Sequence, residues 1–178
     1  MMEERQLHST VKHVGRILTV RHDVVSLPNG KTTTRDVVDH VPAVVILPFQ
    51  APDTVYLIRQ FRYSTGKTLL ETCAGCMDPG EDPLDAAKRE LAEETGIRAK
   101  TWTALTEGYP SPGFCNEYMY FYVAQDLEFG MPDTDEDEFV EVVKLSLTEL
   151  EDALKRREIV DLKTVTAVLG LQRWVLHG

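Results

Sequence analysis

One short stretch constrains this chain more than any other: a helix with both ends written into the sequence, set in a chain otherwise rich in strand patterns. Asp82 is a good N-cap, Pro83 suits the first helical position, and Gly96 suits a left-handed residue past the last turn. The helix expected over 83–95 carries an apolar stripe of Leu84, Ala87, Leu91 and Ala92. Its other face is acidic. Glu90 and Glu94 are four apart, so their side chains share a face, and Glu93 flanks it. Like charges at that spacing cost an isolated helix roughly 0.2–0.5 kcal/mol each. They are tolerated either in solvent or around a cation, and spacing alone leaves both open.

The rest of the chain supplies strands. Val11 to His40 reads as short β-rich segments, with Pro28-Asn29-Gly30 as a hairpin turn between Val14–Leu27 and Thr32–Val38. Ala43–Phe49 and Thr54–Phe61 form a second expected pair, and Val44 to Leu47 reads as a strand buried on both faces. Further strands are expected near Ala99–Glu107, Tyr118–Ala124 and Phe139–Leu145. Helices are expected over about Leu147–Arg157 and Leu162–Leu176. Strands and helices in this mixed order predict an α/β or α+β layered domain. A small β-rich subdomain is expected over residues 1–40 and the main domain over 41–178.

Composition narrows the function classes. A formal net charge of −10 argues against a protein that grips nucleic acid through its phosphates. The longest apolar runs are far too short to span a bilayer, and the acidic amino terminus lacks an apolar signal region, so no membrane partner and a cytoplasmic location are expected. Three cysteines make no disulfide framework. Cys73 and Cys76 form a Cys-x-x-Cys, which leaves a redox pair or half a zinc site as alternatives. The five histidines have no metal or triad spacing.

Eight carboxylates lie between Glu71 and Glu94, and their order carries more than their number. Gly75, five residues, Glu81, seven residues, Arg89-Glu90-Leu91, one residue, Glu93-Glu94, one residue, Gly96-Ile97 resembles a complete Nudix box over 75–97. Seven fixed identities at average usage would arise by chance less than about once in a hundred million start positions. The resemblance implies the Nudix fold, a mixed β-sheet sandwiched between α-helices, with the box as a loop–helix–loop at one sheet end. It implies that Glu90 and Glu94 bind two or three Mg²⁺ ions, with Mn²⁺ an alternative, and that Glu93 and the carbonyl of Ala74 complete the shells. Arg89 would pair with box carboxylates, and Glu81 would support the loop or a metal-bound water.

Beyond the box, Arg59-Gln60-Phe61-Arg62, Glu71 and Ser111-Pro112-Gly113 resemble the ADP-ribose and nucleotide-sugar branch of the family. Cys73 departs from it, since that branch has proline there. The branch implies substrate contacts from Arg59, Arg62, Glu71, Pro112 and Glu117, although a surface ion pair is an equal reading of Arg62. It places a catalytic glutamate in the acidic run 133–138, with Glu136 and Glu138 the candidates and Glu141 behind them; Glu93 is a further catalytic candidate. The expected substrate is ADP-ribose or a related nucleoside diphosphate sugar. GDP-mannose, NADH, dinucleoside polyphosphates and a non-hydrolysing nucleotide sensor are the alternatives. The branch also implies a homodimer formed through the β-rich amino-terminal segment.

Overall fold

The computed structural model describes residues 2–132 and 139–176, with side chains as far as residue 173. The chain divides into two units, Met1–Pro42 with Gly108–Met119, and Ala43–Glu107 with Tyr120–Gly178.

In the first unit β1 (Arg5–Val14), β2 (Leu18–Ser26) and β3 (Thr32–His40) form an antiparallel three-stranded sheet. The expected hairpin joins β2 to β3: Gly30 has a φ of 80°, and its N–H donates to the carbonyl of Leu27 at 2.9 Å. β1 begins six residues before the first expected β-rich residue. It is almost wholly exposed, so pairing with β2 holds it, and burial leaves no alternating pattern to read. The segment 108–119 returns to β3. The Val38 N–H donates to the Phe114 carbonyl at 2.7 Å, and the Asn116 N–H donates to the Val38 carbonyl at 3.1 Å.

The second unit is a seven-stranded sheet in the order β10-β5-β4-β9-β8, with β6 on β5 and β7 on β4. Its strands are β4 (Ala43–Gln50), β5 (Thr54–Arg62), β6 (Lys67–Glu71), β7 (Cys73–Cys76), β8 (Ile97–Gly108), β9 (Met119–Phe129) and β10 (Val140–Ser146). Its helices are α1 (Pro83–Thr95), α2 (Leu147–Lys155) and α3 (Leu162–Gly170). Val44 to Leu47 are fully buried, as a strand covered on both faces requires. Val44 and Ile46 pack with Ala86, Ala87 and Leu91 of α1. Alternation sends Val45 and Leu47 to the opposite face, where α3 packs on β4. Burying Leu91 completely contributes roughly 1.5–3 kcal/mol.

Helix α1 has the expected limits and caps. The Asp82 side chain accepts from the N–H groups of Leu84 and Asp85, and Gly96 takes the left-handed conformation with a φ of 69°. Glycine is required there twice over, because a Cβ on Gly96 would lie 2.6 Å from the Gly130 carbonyl oxygen. Two features differ from expectation. The helix expected to reach Leu176 leaves α geometry after Gly170 and closes as a π-helical turn, Leu171–Leu176. The first two residues of the box, Gly75 and Cys76, expected as loop, form the end of strand β7. Among the described residues no helix is long and apolar enough to cross a membrane.

Candidate active site

Strand β7 runs antiparallel to β4, with Gly75 opposite Val44 and Ala74 opposite Val45, and α1 packs against it. The approach is close enough to exclude a side chain. A Cβ on Gly75 would fall well inside 3.0 Å of all three atoms of the Glu90 carboxyl group. One turn further along α1, Glu94 is only 5% exposed, and its carboxylate accepts the Ala74 N–H at 3.3 Å. An N–H spent on Glu94 makes Ala74–Val45 a non-hydrogen-bonded pair of the ladder. The Ala74 carbonyl therefore also faces away from β4. Backbone and carboxylate oxygens are thus gathered where β7 meets the last turns of α1.

Arg89 ties the acidic face together. Its Nε and one Nη donate to the two Glu81 oxygens, each at 2.9 Å. The other Nη reaches Glu90 at 2.8 Å and Glu93 at 3.1 Å, and the Cys76 carbonyl accepts at 3.1 Å. The hydrogen bond to Glu81 is the largest cause of a strongly raised Arg89 pKa, so the guanidinium is permanently charged. The same bond, together with the Asp78 N–H, holds Glu81 below the usual carboxylate range. Glu81 therefore braces the loop into α1. Among the described residues no three His, Cys, Asp or Glu side chains are grouped as a metal ion would need, and Glu90 and Glu93 both bond to Arg89. The donor chemistry nevertheless fits a hard divalent cation: oxygen ligands only, one carboxylate seated against a glycine and a second buried beside a carbonyl.

Next to this lies a buried ion-pair cluster. Glu71 is 1% exposed, and Arg62 forks onto it with both contacts at 2.9 Å. Lys163, from the first turn of α3, meets the same carboxylate and lies 3.0 Å from Asp161. Burial pushes the Glu71 pKa up more than any other single cause. The hydrogen bonds and charges of Arg62 and Lys163 together outweigh it, and the group stays ionised below the usual range. Sequence reasoning singled out Arg62 and Glu71 but not Lys163, which belongs to no motif. An acidic residue ending the run Leu69-Leu70-Glu71 was the available sign that a buried charge needed partners.

Arg59 stands opposite Glu141 in the β5–β10 ladder, in an exposed ion pair at 3.2 Å, which is worth about 0–1 kcal/mol. Pro112 and Glu117 belong to the first unit; Pro112 is exposed, and Glu117 lies 3.6 Å from His40 Nδ1. Glu136 and Glu138 lie outside the described residues. Cys73 and Cys76 are not joined in a disulfide, and strand geometry separates them. Residues three apart face opposite sides of a strand with Cα atoms about 10 Å apart, beyond the roughly 7 Å limit for a disulfide. The same geometry removes the half zinc site.

Residues 39–167 match the sequence model of the NUDIX domain. The chain belongs to the Nudix family. It is 38% identical over 176 residues to an ADP-ribose pyrophosphatase of Bacillus subtilis (strain 168), covering 96% of this chain and 94% of that protein. It is 36% identical over 174 residues to a methanol dehydrogenase activator of Bacillus methanolicus, covering 97% and 94%. A crystal structure described as an ADP compounds hydrolase superposes with a TM-score of 0.87 at 28% identity, covering 98% of this chain and 95% of that one. The Nudix box of this family member thus runs from the end of strand β7 through a braced loop into helix α1.

Proposed function

We propose that this Nudix protein hydrolyses the pyrophosphate bond of ADP-ribose or a related nucleoside diphosphate sugar, giving a nucleoside monophosphate and a sugar phosphate. One observation carries the reading: Glu90 is seated on Gly75 and Glu94 on Ala74, so every glutamate of the box is held by the backbone or by Arg89. Similarity over nearly the whole length to an ADP-ribose pyrophosphatase supports the substrate class.

Nudix hydrolases work with divalent metal ions, and in this chain Glu90, Glu93, Glu94 and the Ala74 carbonyl would hold Mg²⁺, two or three ions in all. Bound there, the metal would neutralise the diphosphate and lower the pKa of the attacking water. The residues around it have separate tasks. Arg89 keeps Glu90 and Glu93 in place, and Glu81 keeps Arg89 and the loop in place. In this reading the proton acceptor comes from the acidic segment 133–138, with Glu136 and Glu138 the candidates.

The test is a substrate series with Mg²⁺: ADP-ribose, GDP-mannose, UDP-glucose, NADH, dinucleoside polyphosphates and dNTPs, compared by kcat/KM. ADP-ribose should lead, yielding AMP and ribose 5-phosphate, and a chelator should abolish turnover. Preference for dNTPs would overturn the substrate class and leave the family standing. No turnover on any of them would favour a nucleotide sensor or an activator.

The three-stranded sheet of the first unit supports a homodimer as well. Leu7, Val11 and Val14 of β1 are well exposed, and apolar side chains on an open edge strand invite pairing. Light scattering should give twice the chain mass; a strict monomer refutes it.

A further inference from the structure

The corner between β6 and β7 is a single residue. Glu71 still pairs with Ile58 of β5, Cys73 already pairs with Ile46 of β4, and Thr72 makes the change between them. Its backbone N–H has its acceptor outside the sheet. Thr164 Oγ1, in the first turn of α3, accepts it at 2.8 Å, and both threonines are fully buried. The same hydroxyl donates to the side chain of Asp161, the N-cap of α3, at 2.6 Å. Lys163 holds the residue before the corner, Glu71, from the same turn. Two successive residues of α3 therefore grip the corner residue and the one before it, each 92 positions earlier in the chain.

Two residues past that corner is Ala74, whose peptide faces Glu94. The four residues of β7 pair with β4 from Ala43 to Ile46, and the corner fixes the end of that short ladder nearest Ala74. We propose that the first turn of α3 is a positioning clamp for the cation site, with Thr164 as its main contact and Lys163 as its second. Neither residue touches metal or substrate; they act through Thr72 and Glu71 on Ala74. The inference rests on Ala74 and Glu94 being ion ligands.

The test uses Thr164→Val in the full chain. Ala167 and Val168, fully buried, keep α3 on the sheet when the hydroxyl is lost. Two readouts are needed: backbone hydrogen exchange of 72–75 in metal-free protein, and Mn²⁺ binding followed by electron paramagnetic resonance. The variant should exchange faster at 72–75 and bind Mn²⁺ about tenfold more weakly, the low end of the cost of losing a residue that orients metal ligands. Thr164→Ser should restore both. A lower melting temperature with unchanged Mn²⁺ affinity would overturn the clamp and leave Thr164 merely structural. Should Thr164→Val fail to fold, Thr164→Ala decides, since it removes the same hydroxyl from Thr72 without setting a methyl group in its place: weaker Mn²⁺ binding supports the clamp, unchanged binding overturns it. Absence of Mn²⁺ binding in the unaltered chain would instead overturn the ligand reading, and the clamp's role in ion binding with it.

Discussion

Glu94→Gln should abolish metal-dependent turnover while the protein stays folded. The side chain is nearly buried and its carboxylate accepts the Ala74 N–H. Glutamine has the same shape and keeps an acceptor oxygen for that N–H, so the contact between α1 and β7 survives. What disappears is the negative charge. A hard divalent cation recruits anionic oxygen, and an amide beside a carbonyl is a much poorer site for it. Residues that only orient metal ligands already cost up to about 100-fold in affinity or activity when replaced. Loss of a ligand should cost at least that in kcat/KM. Kinetics with a Mg²⁺ titration and a thermal melt would separate the two effects. Turnover within a few-fold of the unaltered chain would remove Glu94 from the ligand set.

Helix α1 was legible in the sequence because its determinants are local. Asp82 caps its own second and third N–H groups, Pro83 needs no donor, and Gly96 supplies a backbone conformation. The pairs Arg89–Glu90 and Arg89–Glu93 are equally local, one and four residues apart. Strands β6 and β7 were not legible. They are short, they follow each other across one residue, and only their partners β5 and β4 tell them apart. A four-residue strand containing glycine leaves no periodicity to read. The buried pairing of Glu71 with Lys163 joins opposite ends of the domain, and a single sequence carries no signal for such a contact. For the same reason nothing in residues 108–119 announced that they fold with the amino-terminal strands.

Gly75→Ala should damage the site at little cost to the fold, which separates it from an ordinary glycine substitution. Gly75 sits in a strand with no positive φ, so alanine meets no backbone strain there. At Gly96, by contrast, backbone atoms of Gly130 and Met131 close in on a left-handed residue. The three atoms nearest to a Cβ on Gly75 are those at the end of the Glu90 side chain. That side chain can move, so the melting temperature should change little. It cannot move and stay in place, because the space taken by the new methyl group is the seat of its carboxylate. Glu90 would be pushed off β7 while Arg89 still pulls on it at 2.8 Å. A displacement of about 1 Å at a reacting centre can cost roughly 100-fold in rate, and a loss of that order in kcat/KM is expected. Raising the Mg²⁺ concentration should recover part of it, since a ligand out of position weakens ion binding first. Full activity with an unaltered Mg²⁺ dependence would mean that the seat on Gly75 is packing alone and that Glu90 meets the ion elsewhere or not at all.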